Sequence, residues 1–118
     1  MEATQLTTEI TNLIELTNKK KINWSILPNN PAYVKWDRNV DSKTYQISIQ
    51  SQNPANPLQS ILYFNMQKIM PQPQELILQI NTGTEPQYKE LLGELFSVAS
   101  ASAKNTSASL LESMLKGL

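Results

Sequence analysis

Asp37 and Asp41 are the one pair of carboxylates close in sequence outside the expected helices, four residues apart around a polar turn. Metal binding or acid–base work needs such groups to converge in a pocket, and a solvated turn accounts for them without it. Glu90 and Glu94 stand four apart on the side of an expected helix opposite its leucines, with Lys89 beside them, which is a solvated helix face. The sequence holds no histidine and no cysteine. That removes the commonest general base, the usual zinc ligands, thiol catalysis and any disulfide framework. Serines and threonines are plentiful, but no partner stands at a recognisable nucleophile spacing. The three glycines, Gly83, Gly93 and Gly117, cannot form a phosphate-cradling loop. No cofactor or metal is expected, and an enzymatic role is disfavoured.

Two groups of cations remain. Lys19, Lys20 and Lys21 follow an expected helix, where positive charge meets the negative end of the helix dipole. Tyr33, Lys35, Trp36 and Arg38 mix aromatics with cations, as base-stacking surfaces do. However, ten Lys and Arg balance ten Asp and Glu, so no net field draws in a polyanion. Sheet packing is therefore the expectation for Trp36, and nucleic acid is not an expected partner.

The elements follow from periodicity. Leu6, Ile10, Leu13 and Ile14, continued by Thr17, make the buried stripe of a first helix from about Thr4, as its N-cap, to Lys20. The period then becomes two. Ile22, Trp24 and Ile26 predict a first strand, Val34 and Trp36 a second, and Tyr45, Ile47 and Ile49 a third. The proline-containing stretches Leu27–Pro31 and Ser51–Pro57 are expected loops. Two dense apolar runs, Ile61–Phe64 and Leu76–Leu78, flank the breaker Met70–Gln74 and predict a hairpin. Because neighbouring residues in these runs are apolar together, both faces of part of the hairpin are expected to be covered. Thr84 is the expected N-cap of a helix whose stripe is Tyr88, Leu91, Leu92, Leu95, Phe96 and Ala99. A break near Lys104–Asn105 is expected to separate it from a last helix carrying Leu110, Leu111, Met114, Leu115 and Leu118 on one face.

The expected fold is thus one α+β domain over residues 1–118: an N-terminal helix, an antiparallel meander of four or five strands, and two C-terminal helices on the sheet. The polar N-terminus and the lack of a long apolar run point to a cytoplasmic protein with no membrane association. The layout resembles a loose group of small bacterial proteins of uncharacterised function. It does so through Lys21-Ile22-Asn23-Trp24 at the first strand and through the helix pattern of Tyr88, Leu91 or Leu92, Leu95, Phe96 and Ala99. The chain departs from that group at Lys20 and at the proline-rich residues 71–74, and the resemblance implies no catalytic residue.

An unassigned second face of the hairpin points to a non-enzymatic protein-interaction or regulatory module, acting as a homodimer or on another protein. Its candidate contact surface is Ile61, Leu62, Tyr63, Phe64 and Trp36. The alternative is a small ligand-binding protein or enzyme with an apolar pocket between sheet and helices.

Overall fold

The computed structural model describes residues 3–27, 30–52 and 60–118, with side chains from 6–26, 32–52 and 60–118. Residues 28–29 and 53–57 of the two predicted proline loops lie outside the described residues, whereas Leu27, Asn30 and Pro31 of the first belong to strands. The elements run α1 (Ala3–Asn18), β1 (Ser25–Leu27), β2 (Asn30–Val40), β3 (Lys43–Ser51), β4 (Leu62–Met70) and β5 (Glu75–Asn81). A 3-10 turn, Pro86–Tyr88, then leads into α2 (Lys89–Leu115). The five strands form one antiparallel sheet in the order β1-β2-β3-β4-β5, the meander that the alternating segments predict.

Register decides what each face carries. Val34 pairs with Ile49, Ile49 with Phe64, and Phe64 with Ile80, so one apolar row crosses four strands. All four are buried with Ile10, Leu13 and Ile14 of α1 and Leu92, Leu95, Phe96 and Ala99 of α2. Both helices therefore cover the same sheet face. The next row on that face, Trp36, Ile47, Met66 and Leu78, is half-buried. The opposite face carries Tyr33, Gln50, Tyr63 and Asn81 in one row and Lys35, Ser48, Asn65 and Gln79 in another. Amides and hydroxyls suit a sheet with one face toward water.

The expectation that both faces of part of the hairpin are covered fails at β5. Through β4 the pattern does alternate, with Leu62 and Phe64 buried and Tyr63 and Asn65 on the open side. In β5 the register shifts between Met66 and Gln67, whose partners are Leu78 and Leu76, so Ile77 is an extra residue in a bulge. The bulge, rather than a second covered face, is why adjacent positions are apolar. Leu76 and Ile77 are 59% and 47% exposed.

The helix ends have local causes. α1 stops at Asn18, and Lys20 takes a left-handed φ of 61°. The Lys21 amide donates to the Leu16 carbonyl at 2.9 Å and the Lys20 amide to Thr17 at 3.1 Å, the paired bonds of a Schellman motif. The lysines thus form the turn after the helix rather than its last turn, and Thr4 lies inside α1 rather than capping it. Trp24 is fully buried as its position predicts, although strand pairing begins one residue later. Its Nε1–H donates to Thr17 Oγ1 at 2.9 Å, and that hydroxyl donates to the Leu13 carbonyl at 2.8 Å. Between β2 and β3, Asp41 and Ser42 both have positive φ and join the paired Val40 and Lys43, a two-residue hairpin turn.

At the start of α2, Thr84 bonds back to the Asn81 carbonyl and is no cap; the 3-10 turn intervenes. The predicted break at Lys104–Asn105 is absent, and α2 runs unbroken for 27 residues. Asn and Thr cost only a few tenths of a kcal/mol each against alanine in a helix, and alanines and leucines surround them here. Thr106 also satisfies its hydroxyl on the Ser102 carbonyl at 3.1 Å.

Candidate interaction surface

The five residues expected to form a contact surface, Ile61, Leu62, Tyr63, Phe64 and Trp36, do not form one surface. Leu62 and Phe64 are core side chains beneath the helices, with 0% and 4% exposure. Trp36 is half-buried at the edge of that core. Tyr63 lies on the opposite, open face, where its hydroxyl accepts from Gln52 Nε2 at 3.1 Å. Ile61, half-buried just before β4, flanks Gly83, where an added Cβ would stand 3.3 Å from Ile61 Cδ1. The sheet therefore separates these residues, because neighbours in a strand point to opposite sides.

The cations are separated in the same way. Lys35 is on the open face, held 2.9 Å from Asp37 Oδ2, whereas Arg38 belongs by alternation to the helix-covered side. Lys19, Lys20 and Lys21 sit beyond the end of α1. The cations thus divide between two sheet faces and a helix end. Asp37 therefore has a lysine partner, while Asp41 occupies the hairpin turn. Among the described residues, no group of three His, Cys, Asp or Glu could hold a metal ion.

Besides Met70, Leu76 and Ile77 at the end of the β4–β5 hairpin, the larger bare apolar stretch among the described residues is the end of α2. Ser102 is the last residue with a bond into the domain near β1, its Oγ accepting from the Trp24 amide at 3.0 Å. Ala103 is the last buried one, and every residue from Ser107 to Leu118 is exposed. Leu110, Leu111, Met114 and Leu115 are exposed by 62%, 55%, 68% and 56%, and Leu118 fully. On a helix of 3.6 residues per turn, Leu110 and Met114 lie in line with the buried Phe96, Ala99 and Ala103. The core-facing stripe thus continues for over two turns past the surface that it packs on.

Beside this tail is an open groove of about 800 Å³ between the end of α1 and the outer side of α2. Thr17, Lys20, Asn23, Ala101, Asn105 and Glu112 are among its walls, so its lining is mixed and mostly polar. It lies outside the sheet–helix core, not between the two layers. Glu112, the charge within the last two turns, belongs to the groove and not to the leucine stripe.

The sequence contains the tail's apolar pattern in full; what it lacks is any sign that no partner in the chain meets it. The described residues include no helix long and apolar enough to cross a membrane. No protein-family model, curated protein or solved structure matches the chain.

Proposed function

We propose that this protein is a non-enzymatic interaction module, working in the cytoplasm through protein contacts made by the exposed tail of α2. The observation that carries the reading is the unpartnered stripe of Leu110, Leu111, Met114 and Leu115 on an otherwise packed helix. Scattered exposed leucines are ordinary, but four within six residues, two on the continuation of the core face and Leu111 and Leu115 beside them, make a contiguous apolar surface of the kind that marks contact sites. Helix-in-groove recognition uses anchors at this spacing. The pocket-bearing alternative has less support, because the groove of about 800 Å³ is outside the two-layer core and lined largely by amides, hydroxyls and small side chains.

The test is chemical crosslinking of the tagged full chain in the cells it comes from, compared with a Leu111→Glu, Met114→Glu variant. Both positions are exposed, so the variant keeps its fold. The expected result is a discrete protein adduct, of this chain or another, that the variant loses. An adduct pattern unchanged by the two substitutions, or no adduct for the native chain, would overturn the reading.

A further inference from the structure

Resting on that reading, we infer that the partner of the tail is the tail of a second copy, packed antiparallel about a two-fold axis. The stripe is palindromic: in the run Leu110-Leu111-Glu112-Ser113-Met114-Leu115, the apolar positions read alike in both directions. An isologous interface needs a patch that is its own complement. With the axis between residues 112 and 113, Leu111 meets Met114 of the second copy across the seam, and Leu110 and Leu115 flank it on either side. Only apolar side chains oppose one another. Glu112 lines the groove on another side of the helix, so the axis brings no like charges together.

Area supports a second copy of modest affinity. More than half of each stripe side chain is exposed, and Leu118 wholly so. At roughly 100 Å² of apolar surface apiece, the four stripe side chains of each tail together bury about 800 Å² in the pair, below the roughly 1,000 Å² of a stable specific interface and in the range of a weak one. The dimer is therefore concentration-dependent. A lipid surface fits less well, because the tail's polar side holds Lys104 and Lys116 against Glu112 amid serines and asparagine, without a basic face.

Light scattering of the full chain over a wide concentration range tests this, with Leu111→Glu and Met114→Lys as separate variants. The native chain is expected to rise from the 13.3 kDa of one copy toward twice that mass, and each variant alone to stay monomeric. Mixing the two variants is expected to restore a dimer. The antiparallel register sets the new carboxylate at 111 against the new ammonium at 114, while the other copy of that contact keeps its native Leu111 and Met114. A native chain that remains monomeric throughout overturns the inference, as does a dimer insensitive to Leu111→Glu. Variants that stay monomeric on mixing overturn the antiparallel register. If the native chain is monomeric but still yields the tail-dependent adduct in cells, the interaction reading stands and only the second copy fails.

Discussion

Two side chains at the junction of α1 and β1 hold more than their types suggest. Thr17 is at once the acceptor for the buried Trp24 Nε1–H and a donor to the Leu13 carbonyl. Thr17→Val keeps the volume and leaves the indole donor without a partner in the core, at a cost of about 1–3 kcal/mol. A lowered denaturant midpoint with an unchanged slope is the expected sign; an unchanged midpoint would mean that the bond contributes nothing net. Lys20 is the opposite case, a side chain in the left-handed region where the Schellman turn favours glycine. Lys20→Gly is expected to raise stability by about 1 kcal/mol, and a fall in the midpoint would contradict the backbone argument. The stripe from Leu6 to Thr17 shows in the sequence which α1 residues face inward, and Trp24 is recognisable as core. The Thr17–Trp24 bond is not legible, because nothing in the spacing shows that the chain turns back at Lys20 to bring them together.

At the scale of elements, α2 is one helix with two environments. Leu95 is fully buried and Leu111 is more than half exposed, although the two have the same residue type and lie in the same unbroken helix. Leu95→Ala is expected to cost about 2–5 kcal/mol. Leu111→Ala, measured at high dilution, is expected to stay within about 0.5 kcal/mol of the native chain. Comparable losses at both positions would mean that the tail packs within its own chain. The buried stripe from Tyr88 to Ala99 was recognisable because it repeats with helical period, and β3 because Tyr45, Ile47 and Ile49 alternate with polar residues. The continuity of α2 was not, since Lys104–Asn105 carries capping residues whose weak local preference is outweighed by helix formers on both sides. The hairpin misled for a different reason. A bulge at Ile77 makes adjacent residues apolar without burying both faces, and bulges leave no fixed signature in a single sequence.

At the scale of the molecule, the 52 × 37 × 27 Å extents describe a two-layer body with a projecting helix. The opposite sheet face is polar rather than apolar, and its rows of tyrosine, amide and hydroxyl groups, with Ser48 buried among them, include bonds such as Tyr33 Oη to Ser48 Oγ at 3.1 Å and Gln67 Nε2 to Gln46 Oε1 at 2.9 Å. The apolar surface left for a partner therefore lies at the end of α2 rather than at Ile61–Phe64, where the apolar runs place it. An amphipathic pattern shows that a helix has a side to bury but not what buries it, so the bareness of the tail could be found only once the rest was folded. If the tails pair, dimerisation stabilises the folded state by mass action. The thermal midpoint of the native chain is then expected to climb with protein concentration while that of Leu111→Glu stays constant. Parallel behaviour of the two would remove the tail from the association.

The most direct measurement is a scan of a site-specific photo-crosslinker along α2 in the full chain, with Gln79 of β5 as a control position. Adducts are predicted at Leu110, Leu111, Met114 and Leu115, falling away at Asn105, Ala108 and Glu112 on the groove side and absent at Gln79 on the open sheet face. Adducts without helical period, or a maximum on the sheet face, would contradict the claim that the leucine stripe at the end of α2 is this protein's contact surface.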